Sequence, residues 1–238
     1  MTKSLDDGGV AGISSCAVAV DVAAMTIEDG RLTLLLTEPD DASQAGRWSL
    51  PGRRVRDDES LDATALRALS ELIGTEEPAV LLEQLRTYGE PARDPRARVV
   101  SVAYLALAAR PLVPSASRRT TVVAASEAAT WSSDRFAYDH AAIVPDALER
   151  LRAKLEYTSL ATALLEQPFT LGELRTVYEA VWDVELDPAN FRRKVVSTPG
   201  FVRAAAGTAP SGPTGGRPAR RYHSGGATRL HPAMLRDR

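Results

Sequence analysis

The chain has 238 residues, 44% of them hydrophobic and 25% charged. That ordinary globular composition excludes a disordered chain and leaves room for one large domain or two small ones. No run of roughly 18 apolar residues is present, which excludes a transmembrane helix. The single cysteine, Cys16, excludes an internal disulfide and a cysteine zinc site. The net charge of −2 conceals an uneven distribution: in residues 186–238 ten Lys and Arg face two Asp, so that stretch carries +8 and the remainder −10. A basic block on an acidic body suggests a polyanion-binding module joined to a second unit, the alternative being a solvated basic tail. Residues 1–9 are polar and slightly acidic. With no basic n-region and no apolar h-region they predict no secretory signal, so the expected compartment is the cytoplasm. His140, His223 and His231 are too scattered in sequence to suggest a metal cluster.

Residues 15–25 are rich in Ala and Val, and residues 31–37 follow a Glu28-Asp29-Gly30 turn signal. This pattern predicts two strands in a hairpin. Residues 46–54, with Trp48, Pro51 and Gly52, predict a shaped loop. Over residues 60–73 the apolar positions Leu61, Ala65, Leu69, Leu72 and Ile73 fall at steps that mark one helix face, and Gly74 is a stop signal. Residues 81–88 and 99–107 read as strands on either side of a loop with two prolines. Residues 111–117 read as another loop and 141–155 as a helix. Strands and helices mix without a regular βαβ rhythm, so an α+β domain is expected over residues 1–155.

Past Tyr157 the pattern changes to three helices and a strand pair. Leu160, Leu164 and Leu165 line a short helix that Pro168 ends. Thr170 and Glu173 have capping-box spacing and start a second helix, with Leu171, Leu174, Val177, Tyr178 and Val181 on its apolar face. Asp187-Pro188 supplies an N-cap followed by proline at the first helical position. This third helix runs to Ser197 and stops at Thr198-Pro199-Gly200. Phe191 and Val195 are its inward residues. Residues 201–203 and 220–223 read as two short strands around a Gly-, Pro- and Ala-rich stretch, the composition of a flexible wing. Three helices, a basic third helix and a basic wing describe a winged helix-turn-helix over residues 156–238. Asn190, Arg192, Arg193 and Lys194 point outward from the third helix and can enter a major groove, where each base pair shows a distinct donor and acceptor pattern. From the wing, Arg217, Arg220 and Arg221 can reach phosphates or a minor groove. A solvated basic face and a protein-contact role are the competing readings of the same residues.

The first half carries a more specific motif, in damaged form. Trp48-Ser-Leu-Pro-Gly52, Glu59-Ser-Leu61, Arg67 and Gly74 resemble the Nudix box, G-x5-E-x7-R-E-U-x-E-E-x-G-U, where U is a bulky aliphatic residue. Anchored on Gly74, the first glutamate of the box falls on Glu59 and its arginine on Arg67. The leading glycine falls on Arg53, the three metal-binding glutamates on Ala68, Glu71 and Leu72, and the last aliphatic position on Thr75. In an intact box those carboxylates share one helix face and hold Mg²⁺ against a pyrophosphate. Without two of them, metal-assisted hydrolysis loses charge neutralisation and an activated water. The resemblance therefore implies a Nudix fold kept for binding, with no catalytic residues, no metal site and no cofactor. Glu59 and Arg67 can still pair and hold loop to helix.

A Nudix-like α/β/α sandwich followed by a winged helix resembles the Nudix-related transcriptional regulators of NAD metabolism, the NrtR family, over residues 15–223. Residues 88–96 together with 98–104 are similar to a segment of ADP-ribose-type Nudix domains, and residues 136–140 to the motif that closes such domains. Residues 170–171, 190–194 and 216–219 are similar to the recognition-helix and wing segments of the family. An extended wing over residues 206–215 and an added segment after Ser224 depart from its pattern. The resemblance implies a homodimeric repressor of NAD biosynthesis or salvage genes, with a palindromic operator in double-stranded DNA, ADP-ribose or a related NAD metabolite as effector, and no membrane partner. It implies DNA contacts by Asn190, Arg192, Arg193 and Lys194, and effector contacts by Arg53, Arg54, Asp94 and Arg98. Arg53 stands where the box has its glycine, and an arginine-rich loop suits a pyrophosphate even without metal. Asp139 and His140 read as structural, holding the helix that follows to the sheet. The alternative is an active Nudix ADP-ribose pyrophosphohydrolase with an accessory C-terminal binding module, which carboxylates at positions 68 and 72 would favour.

Overall fold

The computed structural model describes residues 16–115, 118–208 and 218–236. Strands β1 (Ala17–Glu28) and β2 (Arg31–Thr37) form the predicted hairpin. Asp29 and Gly30 at its tip have φ of 49° and 73°, the pair of left-handed residues that a tight turn between twisted strands requires. Next come β3 (Gly52–Arg54), α1 (Leu61–Ile73), β4 (Val80–Tyr88), β5 (Val99–Ala108), β6 (Thr120–Ala124), a short α2 (Ala125–Ala128) and α3 (His140–Tyr157). The sheet order is β4-β5-β1-β2-β6, with β3 also paired to β1. β1 and β5 run parallel, and the other pairs are antiparallel.

Successive residues of β1 point to opposite faces, as a pleated strand demands. Val20, Val22 and Ala24 meet Ala65, Ala68, Leu69 and Leu72 of α1 in one buried layer. Ala23 and Met25 join Ile143, Val144, Ala147 and Leu148 of α3 in the other. The result is the expected α/β/α sandwich. Helix α1 is bounded as its local signals dictate: the Ser60 side chain accepts the Ala63 N–H, and Gly74 closes the helix at φ 70°. Two expectations change. The loop over residues 46–54 contains strand β3, because Val20 and Ala19 offer it pairing partners. After the loop that begins at Pro111, β6 adds an edge strand to β2.

In the second unit residues Ser159–Leu164 form a 3-10 segment rather than an α-helix. β7 (Phe169–Thr170), α4 (Leu171–Trp182), α5 (Pro188–Ser197), β8 (Val202–Thr208) and β9 (Arg220–Ser224) follow, with sheet order β7-β9-β8. The capping box is present: Thr170 Oγ1 accepts the Glu173 N–H at 3.2 Å, and the Glu173 carboxylate accepts the Thr170 N–H at 2.6 Å. Asp187 caps α5 by accepting the Asn190 N–H at 2.8 Å. These elements form the winged helix. Most of the extended wing, with Arg217, lies outside the described residues.

Helix α3 continues past Leu155 to Tyr157 and joins the two units without a flexible linker. Leu151 and Leu155 share one buried cluster with Tyr178, Val181 and Trp182 of α4. Trp182 Nε1 donates to the Arg152 carbonyl at 3.1 Å, Arg152 Nε to the Val181 carbonyl at 3.0 Å, and the Tyr178 hydroxyl to the Leu155 carbonyl at 3.1 Å. The segment after Ser224 returns to the same place. The Leu230 and Met234 N–H groups donate to the Tyr157 and Glu156 carbonyls at 2.8 and 2.7 Å. They satisfy two of the last-turn carbonyls that a helix leaves open. No helix among the described residues is long and apolar enough to cross a membrane.

Candidate functional site

A carboxylate in the middle of a strand covered on both faces needs partners, and Asp21 of β1 has them. Its Oδ2 accepts from the Ser101 hydroxyl at 2.5 Å and from Arg93 Nη2 at 3.1 Å, and its Oδ1 lies 3.4 Å from His140 Nε2. His140 Nδ1 accepts the Leu50 N–H at 3.0 Å. That bond turns Nε2 toward Asp21. Arg93 also grips Asp139 at 2.6 and 2.9 Å. Burial pushes the Asp21 carboxyl up, but His140, Arg93 and Ser101 outweigh it and hold the pKa at about 2. This buried network ties β1, the loop after β4 and the start of α3 together. Gly52 approaches it so closely that a Cβ there would stand 2.3 Å from Asp21 Oδ1, so only glycine brings β3 this near.

Over this floor opens a cleft of about 300 Å³, lined by Asp21, Glu38, Asp40, Gly52, Arg53, Arg54, Arg93, Asp94, Arg96, Arg118, Tyr138 and His140 among others. Arg96 is held by Asp94 at 2.9 and 2.7 Å and lies over the Tyr138 ring, 5.3 Å from its centroid. Arg118 pairs with Asp40. The Arg54 side chain has no hydrogen bond or ion pair among the described residues. The cleft thus presents several guanidinium groups, the side chain best matched to phosphate oxygens.

The Nudix-box residues behave as their chemistry dictates. Arg67 grips Glu59 with two bonds of 2.7 Å and donates to the Arg54 carbonyl at 3.0 Å. The Arg67 bond chiefly, with help from Thr64, holds the Glu59 carboxyl at about 2. Glu71 is shared between Arg53 Nε at 2.6 Å and Arg67 Nη1 at 3.4 Å. Ala68 and Leu72 are 1% and 2% exposed, inside the apolar layer under α1. The Nudix box implies Mg²⁺, and these residues do not fit it. Two of the three ligand positions offer no oxygen, and the third is committed to guanidinium groups. Among the described residues no group of three or more His, Cys, Asp or Glu is placed to hold a metal ion.

Of the residues expected to meet the effector, Arg53, Arg54 and Asp94 line the cleft and Arg98 does not. Arg98 Nη1 donates instead to the Glu90 and Val99 carbonyls, at 3.3 and 3.5 Å. Sequence reasoning passed over Asp21, Arg93, Arg96, Arg118 and Tyr138 as lining residues. Asp21 had a readable signal, an acid inside an unbroken apolar strand.

On α5, Phe191 and Val195 are buried at 5% and 0% exposure. At 100° per residue Arg193 stands opposite them, flanked by Ala189 and Ser197, with Arg192 and Lys194 on the two shoulders. Asn190, Arg192 and Arg193 are exposed and Lys194 partly so. None of the three cations has an acidic partner among the described residues. Arg220 on β9 is exposed and Arg221 half-buried; Arg220 lies over the Tyr222 ring at 5.8 Å.

A Nudix sandwich continued through one helix into a winged helix defines a class of two-domain Nudix-related proteins. Residues 17–147 match the Nudix domain family, and residues 161–223 match the NrtR DNA-binding winged helix domain. The chain is 32% identical over 213 residues to the ADPR responsive transcriptional repressor NtrR of Acinetobacter baylyi, covering 86% of this chain and 80% of that one. It is similar to the crystal structure of Shewanella oneidensis NrtR, with a TM-score of 0.75 and 28% identity over 90% of this chain and 99% of that one. It is similar also to that protein complexed with a 27mer DNA, with a TM-score of 0.70 and 27% identity over 92% of this chain and 99% of that one. The Nudix domain of the Shewanella protein complexed with ADP ribose matches with a TM-score of 0.50 and 30% identity, over 58% of this chain and 90% of that one. The chain belongs to the NrtR family.

Proposed function

We propose that the chain is a DNA-binding transcriptional repressor of NAD biosynthesis or salvage genes, and that its Nudix domain senses ADP-ribose or a related NAD metabolite without hydrolysing it. What carries this conclusion is the coexistence, in one chain, of a Nudix box that has lost two of its three metal ligands and a helix presenting three cations without acidic partners among the described residues. The name of the Acinetobacter relative and the two ligands held by the Shewanella protein support it. The protein acts as a homodimer on a palindromic operator, since a two-fold in the protein is mirrored in its DNA site.

In the cleft, Arg54 and the remaining donors of Arg53, Arg96 and Arg118 hold the effector, and Asp94 positions Arg96 for it. Arg193 reads base edges, with Asn190 beside it; Arg192, Lys194 and the wing residues Arg217, Arg220 and Arg221 bind the backbone. The two sites communicate through α3. His140, its first residue, lines the cleft, and its far end is bound to α4. Eighteen residues span about 27 Å. A ligand that shifts the start of α3 therefore shifts the winged helix, and half-sites about 34 Å apart tolerate little misplacement. A coupling of about 1–3 kcal/mol changes affinity about 5–150-fold.

Gel-shift assays on DNA upstream of NAD biosynthesis genes test the repressor function. A shifted band that ADP-ribose dissolves is expected, and no retained fragment in either condition contradicts it. Purified protein with Mg²⁺ is expected to show no significant turnover of ADP-ribose. Robust turnover that dies on Glu71→Ala would contradict that expectation.

A further inference from the structure

We infer that Arg53 takes the place of the divalent cation of the Nudix site, so that this cleft binds a pyrophosphate group without metal. The inference rests on the proposal that the cleft takes ADP-ribose, and it names how the same site neutralises that ligand.

In a hydrolytic box the cation sits between carboxylates on the helix and oxygens of the pyrophosphate. Here a cation that belongs to the chain is already seated on the remaining carboxylate. Arg53 occupies the position of the leading glycine of the box and reaches across to α1, where its Nε donates to Glu71 Oε2 at 2.6 Å. Nη1 donates to the Gly52 carbonyl at 2.8 Å and lies 3.6 Å from Asp40 Oδ2. Those contacts hold the guanidinium from two sides. Nη2 makes no hydrogen bond among the described residues, and Arg53 forms part of the cleft wall. A guanidinium held in this way keeps Nη2 for a ligand, and guanidinium donors suit phosphate oxygens.

The surroundings exclude a second cation at the same place. Mg²⁺ demands near-octahedral oxygen ligands at about 2.0–2.1 Å. Ala68 and Leu72 provide none, being sealed in the apolar layer at 1% and 2% exposure. Glu71 cannot serve Mg²⁺ while it holds Arg53 and Arg67. The glycine-to-arginine change and the loss of two carboxylates are thus one compensated alteration: the negative ligands and the metal leave together, and one arginine supplies the positive charge.

Calorimetry of the full chain with ADP-ribose, in EDTA and in excess Mg²⁺, tests this. The wild type is expected to bind equally in both. Arg53→Gln keeps the bulk and part of the hydrogen bonding but removes the charge. It is expected to weaken binding in EDTA about 10–100-fold, the loss of one hydrogen bond to a charged group. Arg53→Lys, which keeps the charge without the fork, is expected to fall between. Melting curves of each variant show that the fold is retained. Wild-type binding that requires Mg²⁺ overturns the inference and leaves the sensor proposal standing, as does unchanged affinity in a folded Arg53→Gln variant. No ADP-ribose binding by the wild type in either buffer overturns the sensor proposal and the inference with it.

Discussion

His140 and Asp21 meet at 3.4 Å between Nε2 and Oδ1, and this contact fastens the first residue of the connecting helix to the strand that floors the cleft. The cleft, the sheet and the joint between the two domains thus share one buried polar network. The first residue of the helix that leads to the winged helix lines the cleft.

The network predicts a specific acid sensitivity. The Asp21 pKa falls from 3.8 to about 2 on folding. A carboxyl with a depressed folded-state value stabilises fully above its unfolded value and loses that contribution as pH falls through the folded one. For this buried group the shift corresponds to about 2 kcal/mol. In urea unfolding, the difference between the wild type and Asp21→Asn is expected to shrink by that amount as pH falls from about 4 towards 2. A difference independent of pH would contradict the assignment.

On α5 the helix geometry sets Arg193 apart from Arg192 and Lys194, which stand on the two shoulders. Arg193→Ala is expected to weaken operator binding by about 1–3 kcal/mol and to relax base preference at one position in each half-site. Arg192→Ala and Lys194→Ala, on the shoulders, are expected to lower the slope of binding against salt by about one counterion each, with base preference intact. Selection from random DNA with each variant checks both. Loss of base preference in Lys194→Ala and not in Arg193→Ala would reverse the assignment.

The segment after Ser224 has a mechanical part. Met234 is 3% exposed, inside the cluster that holds Trp182 and Phe191, and its N–H closes the Glu156 carbonyl. Met234→Ala is expected to destabilise the protein by about 2–5 kcal/mol. A change below about 0.5 kcal/mol, the size of an ordinary surface substitution, would show that the segment is an appendage.

Elements with local signals were legible in the sequence. Ser60 and Gly74, Thr170 with Glu173, and Asp187-Pro188 fix their helices through contacts within a few residues, so spacing alone reveals them. β3 and β6 were not legible, because each is a strand only through distant partners, Val20 for Arg53 and Leu35 for Val122. At the cleft the expectation named Arg98, which does not line it, and passed over Arg96, which does. Arg96 is positioned by an Asp94 side chain that also accepts the Arg96 N–H at 3.0 Å, a two-residue turn motif that Asp-Pro-Arg can signal. Arg98 has no such anchor. Arg53 was visible as a mismatch to the box, but its seat on Glu71 depends on the approach of β3 to α1, which only the folded chain shows.

Coupling between cleft and DNA is the central claim, and calorimetry of ADP-ribose with free and operator-bound protein measures it most directly. Binding free energies are reciprocal: if the effector weakens DNA binding, DNA must weaken effector binding by the same factor. The expected result is an affinity for ADP-ribose lower on the operator complex by about 5–150-fold, equal to the factor by which ADP-ribose lowers operator affinity. Equal affinities in the two titrations would contradict the account.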